Sequence, residues 1–112
     1  MRREELYLQD IVEASRSIEA FIEDVDESDF QGDDLVRSAV LQKLTIIGEA
    51  SARISKDFQG RHPDVDWASI IGFRNIAVHA YFAVDWNIVW TTATEDVPIL
   101  KEQVSKILVE EF

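Results

Sequence analysis

Cysteine is absent from this chain, and with it disulfides, thiolate metal sites and a cysteine nucleophile. Glycine and proline are scarce, four and two in 112 residues, which leaves little turn-forming material for an all-β fold. No apolar run approaches the ~20 residues of a membrane span. The first residues, Met1-Arg2-Arg3-Glu4-Glu5, lack the apolar core of a signal peptide, so a cytoplasmic location with no membrane contact is expected. Positive charge is also in short supply. Eleven basic residues face 22 acidic ones, a net charge of −11. Proteins that coat nucleic acid by its phosphates are usually basic, so non-specific coating is not expected, while a local basic pocket or a basic partner stays open. What remains is an ordinary globular composition, 46% hydrophobic and 29% charged, with a length that suits one domain over residues 1–112.

Helical periodicity accounts for nearly all of it. Leu8, Ile11, Val12, Ile18, Ile22 and Val25 recur at three- and four-residue spacing and predict a helix from about Glu4 to Val25. Asp24 to Asp34 reads as an acidic connector containing Gly32, with Asp33 or Asp34 capping the next helix, which runs to about Ser55. The stripe Val40, Leu44, Ile47, Ile54 on that helix is widened by Ala39, Ile46 and Ala50, as expected of a central helix or one that also meets a second subunit. Phe58 to Asp66 reads as a loop with Gly60 and Pro63. Asp66 caps a helix from Trp67 to near Ala80, and Asp85 caps a last segment with Val89, Ala93, Val97, Leu100, Val104 and Ile107 on one side. Pro98 falls inside this pattern, so the segment is either kinked or divided with Pro98 in the first turn of a new helix. The expected fold class is an all-α bundle of four to five helices.

One segment stands out chemically. Phe73-Arg74-Asn75-Ile76-Ala77-Val78-His79-Ala80-Tyr81-Phe82 places a cation, an amide, an imidazole and a phenol among apolar residues. Buried without partners, each would cost a few kcal/mol, about 1–3 for a typical group, so they are paired or they do chemistry. Arginine suits phosphate, and histidine exchanges a proton near neutral pH. Asn75 and His79 share a helix face, and Arg74 and Tyr81 are nearly in register after two turns. Arg74 and His79 are roughly 140° apart on an ideal helix. They meet at one phosphate if the arginine reaches around, if the helix loosens near His79, or if two copies face each other across a dimer axis. The structural alternative is that Arg74 pairs with a surface carboxylate while Asn75, His79 and Tyr81 satisfy backbone groups.

In order and spacing these residues resemble the HepT-like branch of the HEPN superfamily, the toxin half of HepT–MntA toxin–antitoxin modules. Arg74-Asn75-x-x-x-His79-x-Tyr81 is similar to that branch's Arg-x4-His-x-Tyr signature. Family-like blocks occur at Ile46-Ile47-Gly48-Glu49-Ala50, Trp67 to Asn75, Tyr81-Phe82-Ala83-Val84-Asp85, Ile88-Val89-Trp90 and Asp96-Val97-Pro98, so the resemblance covers essentially the whole chain. It implies a helical HEPN-type bundle, a two-fold symmetric homodimer, and a metal-independent ribonuclease that needs no cofactor and acts on RNA such as tRNA. By the same resemblance Arg74 would hold the scissile phosphate, His79 would be general acid or base for attack by the 2′-hydroxyl, and Asn75 would bind phosphate or orient His79. Tyr81 would accept AMP from an MntA-like minimal nucleotidyltransferase antitoxin, blocking the site with charge and bulk. A non-catalytic nucleotide- or partner-binding module of the wider superfamily is the alternative.

The remaining conspicuous residues carry structural expectations. His62, beside Pro63, reads as loop surface and no metal site is expected. Trp67, Trp86 and Trp90 read as core or interface rather than base-stacking groups. Gly48 and Gly72 read as points of close helix packing, and the acidic runs as solvated surface.

Overall fold

A computed structural model describes residues 2–76 and 84–112, with the backbone alone for Arg2. Every regular element among them is helical. The elements are α1 (Arg2–Ile22), α2 (Glu27–Gly32), α3 (Asp34–Arg53), α4 (Lys56–Arg61), α5 (Trp67–Ile71), a 3₁₀ turn (Gly72–Asn75), α6 (Trp86–Thr91), a π turn (Thr92–Asp96) and α7 (Val97–Glu111). The long helix α1 packs against both α3 and α7, and α3 also receives α5 and the 3₁₀ turn. The core lies between these surfaces.

The long helices bury the faces that their periodicity predicts. Leu8, Ile11, Val12 and Ile18 of α1, Val40, Leu44 and Ile47 of α3, and Val97, Leu100, Val104 and Ile107 of α7 are all buried, as is Ile54 just beyond α3. Ala39 is half-buried and Ile46 exposed, so the wide side of the α3 stripe is only partly covered. The hydroxyl of Ser15, buried on the inner face of α1, donates to the Ile11 carbonyl at 2.7 Å, which removes the penalty of placing it there. Three aspartates stop and start the chain. Asp33, rather than Asp34, caps α3 by accepting from the Val36 amide at 3.1 Å. Asp66 accepts from the Ser69 amide and hydroxyl at 3.3 and 2.8 Å, and Asp85 from the amides of Asn87 and Ile88 at 3.0 and 3.4 Å. Each satisfies helix N–H groups that would otherwise lack a partner.

The structure corrects several boundaries. α1 ends at Ile22, not Val25, because Asp24 takes a left-handed conformation (φ 63°) that turns the chain, with the Val25 amide donating to Ile22. The acidic connector contains a helix, α2, capped by Asp26 and anchored by the fully buried Phe30 against Trp90 and Trp86 (ring centroids 5.0 and 6.5 Å). The supposed loop from Phe58 begins inside α4, which Ser55 caps and Phe58 pins to the core. His62 is not loop surface: it closes α4, packs on Phe58 at 4.8 Å and pairs with Glu111. With these short additions the described residues form seven α-helices, more than the four to five expected.

Pro98 divides the last segment. It stands in the first turn of α7, and the five residues before it widen into a π turn with the Val97 amide donating to Thr92. Proline has no N–H and its ring crowds the carbonyl four residues back, so the α ladder cannot continue through it. The three tryptophans are structural: the Trp67 indole N–H donates to the His62 carbonyl at 3.0 Å, and Trp86 and Trp90 hold Phe30. Glu23, Asp24, Glu27, Asp29, Asp33 and Asp34 are exposed, as a solvated acidic surface requires. Among the described residues no helix is long and apolar enough to cross a membrane.

Candidate functional site

The site begins at a glycine. Gly48, buried in the middle of α3, faces the 3₁₀ turn so closely that a Cβ there would lie 2.6 Å from the Arg74 amide nitrogen, 3.0 Å from the Arg74 Cβ and 3.1 Å from the Ile71 carbonyl oxygen. Only a residue without a side chain admits that approach. The expectation of close packing therefore holds at Gly48. It fails at Gly72, where no described atom comes within 4 Å of a built Cβ.

Seated on α3 in this way, the chain does not continue as the single α-helix expected from Trp67 to Ala80. The α-helix ends at Ile71 and the backbone tightens into the 3₁₀ turn, closed by the Ile76 amide donating to the Phe73 carbonyl at 3.2 Å. A 3₁₀ turn advances about 120° per residue instead of about 100°, so the angles of an ideal α-helix do not apply within Gly72–Asn75. Trp67, Ile70 and Phe73 remain on the buried side. Arg74 leaves the turn on the open side with its side chain 40% exposed, and Asn75 next to it is exposed. His79 and Tyr81, the other two expected site residues, lie outside the described residues, as does the expected helix end near Ala80.

The carboxylate that faces Arg74 is Glu49, one residue after the glycine. Its Oε1 lies 3.9 Å from Arg74 Nη1, with the Glu49 side chain 51% exposed. Charge-assisted hydrogen bonds close at about 2.7–2.9 Å, so this is a loose, water-accessible pair. The pairing predicted by the structural alternative is present, then, yet among the described residues it leaves the guanidinium's donors unsatisfied by any short bond. Glu49 belongs to the family-like block Ile46-Ile47-Gly48-Glu49-Ala50, and no local pattern connects it with Arg74. Twenty-five positions separate the two, and nothing in helical spacing links them.

Beside Glu49 runs a shallow groove of about 290 Å³ between α1 and α3, with Tyr7, Ile46 and Ala50 in its walls and Arg53 at its edge. A larger hollow of about 400 Å³ lies on the Phe73 side, between α5 and α7. Its rim carries Asp64, Asp66 and Asp96, which would repel an anionic backbone, and Arg74 is not part of it. The groove beside Glu49 carries two carboxylates of its own, Asp10 and Glu49, with Arg53 as its cation, and Arg74 does not line it either. Among the described residues no three His, Asp or Glu side chains are grouped to hold a metal ion.

Comparison with known proteins agrees over the length of the chain. The family model described as "Ribonuclease HepT-like" matches residues 11–107. A "Probable ribonuclease HepT" of Thermococcus cleftensis is 42% identical over 101 residues, covering 90% of this chain and 92% of that protein. A "Putative RNase" of Methanocaldococcus jannaschii is 40% identical over 98 residues, covering 88% and 90%. A "Putative RNase" of Caldanaerobacter subterraneus subsp. tengcongensis is 33% identical over 105 residues, covering 94% of each. No solved structure matches the chain.

Proposed function

The chain belongs to the HepT-like ribonuclease family, and from that premise we propose that it is a metal-independent RNA endonuclease serving as the toxin of a toxin–antitoxin module. Residues 1–112 act as one domain in this reading. Arg74 binds the scissile phosphate and neutralises charge that builds up on its oxygens as the 2′-hydroxyl attacks. His79 takes the proton from that hydroxyl or delivers one to the departing 5′-oxygen, a task suited to an imidazole of ordinary pKa about 6.5. Asn75 hydrogen-bonds the phosphate or orients His79. A symmetric homodimer would bring two such sets into one cleft and concentrate positive charge on a protein whose net charge is −11. An MntA-like nucleotidyltransferase would silence the site by moving AMP from ATP to Tyr81. RNA and ATP place this work in the cytoplasm.

The observation that carries the reading is the state of Arg74. Its backbone is pressed on Gly48, its side chain is 40% exposed, and its described ion pair is a loose one at 3.9 Å. A cation fixed at its root and open at its tip can accept a phosphate with little reorganisation.

The acidic balance favours a second reading, a non-catalytic module that binds a nucleotide or a partner through the same arginine. One experiment separates them. Purified protein, shown by mass spectrometry to carry no AMP, is incubated with total tRNA in EDTA beside Arg74→Ala and His79→Ala. Cleavage by the wild type and by neither variant is the expected result. Cleavage by the variants at the wild-type rate would remove these residues from the site, and no cleavage by any of the three would select the binding module.

A further inference from the structure

Gly48 fixes more than the Arg74 backbone. Because Glu49 follows it in α3, the same contact decides which carboxylate stands beside the arginine. Glu49 has a second cation within helical reach, Arg53 one turn further on, at the spacing that favours an ion pair. Among the described residues no ion pair forms between them, and the Glu49 carboxylate lies instead within 4 Å of Arg74. The pairing crosses between two elements in preference to the one available within its own helix.

We propose that Glu49 is a positioning residue for Arg74: it aims the guanidinium in the empty site and yields to a substrate phosphate. The inference rests on Arg74 being the phosphate ligand. At 3.9 Å and half-exposed on both sides, the pair orients the arginine without locking it. A phosphate offers two oxygens to the planar guanidinium at shorter range and displaces the single carboxylate oxygen. Once displaced, the Glu49 carboxylate stays well inside the screening length of about 8 Å at physiological salt, so it repels the phosphate it has admitted. Glu49 thus aims the arginine at a cost in affinity, and the repulsion assists release of an anionic product.

The two effects predict opposite changes. In Glu49→Gln the like charge is gone, so the protein should bind a 2′-O-methyl RNA, which cannot be cleaved, about three- to ten-fold more tightly at low salt, with the difference shrinking as salt rises. Its kcat on tRNA should nonetheless fall, by about ten-fold, because an arginine not aimed beforehand also holds the phosphate in poses that do not lead to attack. Glu49→Asp keeps the charge on a shorter stem. It should restore the weaker binding without restoring the rate. Far-ultraviolet circular dichroism should be unchanged in both, since Glu49 is half-exposed. An unchanged kcat in Glu49→Gln, with or without tighter binding, overturns the proposal if Arg74→Ala is inactive. If Arg74→Ala cleaves like the wild type, it is the reading of Arg74 that fails.

Discussion

Replacing Gly48 with alanine sets two effects of known sign against each other. In a helix interior alanine is favoured over glycine by about 1 kcal/mol, so on propensity alone the variant would be more stable. The contact geometry opposes this. A Cβ placed at 48 meets the Arg74 amide nitrogen at 2.6 Å, and ordinary contact begins at 3.4 Å, so α3 and the 3₁₀ turn must separate by about 0.8 Å. Overpacking of that kind costs about 1–3 kcal/mol. The balance is a loss of about 0–2 kcal/mol, and at about 4 °C per kcal/mol the melting temperature falls by up to about 8 °C. Activity should suffer more. A displacement near 1 Å at a group that must meet a phosphate can lower the rate about 10²-fold. Thermal unfolding followed by circular dichroism and the rate of tRNA cleavage, measured on the same preparation, test both parts. Gly60→Ala is the control, because nothing described lies within 4 Å of its built Cβ and α4 should only gain. A Gly48→Ala protein that melts several degrees higher and cleaves at full rate would refute the close-approach argument.

Phe30 should be the residue on which α2 depends. Fully buried between Trp86 and Trp90, its replacement by alanine should cost about 3–5 kcal/mol and alter tryptophan fluorescence, measured by chemical denaturation; a loss below about 1 kcal/mol would show that α2 is not anchored there. Under the proposed regulation, Tyr81→Phe should still cleave tRNA but resist inactivation by the nucleotidyltransferase and ATP. An AMP adduct found elsewhere on that variant by mass spectrometry would move the acceptor to another residue.

The parts of the fold that sequence revealed share one physical basis, interactions confined to a few turns of chain. Leu8, Ile11 and Ile18, or Val97, Leu100 and Val104, bury one face because three- and four-residue spacing returns to the same side of a helix, whatever lies opposite. Asp33, Asp66 and Asp85 cap because a short carboxylate reaches the amides two or three residues on. The helices without a local signature, α2 and α4, have six residues each, too few to display a period, and each includes a glycine that reads as a turn. They exist because Phe30 and Phe58 are held by the core. His62 departs from its local signature for a related reason. Its neighbour Pro63 signals a loop, while its packing on Phe58 and its pairing with Glu111, 49 positions away, cannot be read locally.

The sequence by itself determined that this chain is helical, which faces of its long helices are buried, where three helices, one long and two short, begin, and that Arg74 belongs to a polar set resembling a ribonuclease signature. All of these follow from residue type and short-range spacing. Tertiary structure alone decided that the helix carrying Arg74 stops at Ile71 and tightens into a 3₁₀ turn, that Gly48 is the surface on which the turn rests, and that Glu49 is the carboxylate opposite the guanidinium. Those outcomes depend on two backbones, 26 positions apart in sequence, packing so closely that a Cβ on Gly48 would lie 2.6 Å from the Arg74 amide nitrogen, an approach set by how α3 and α5 pack rather than by anything either segment encodes alone.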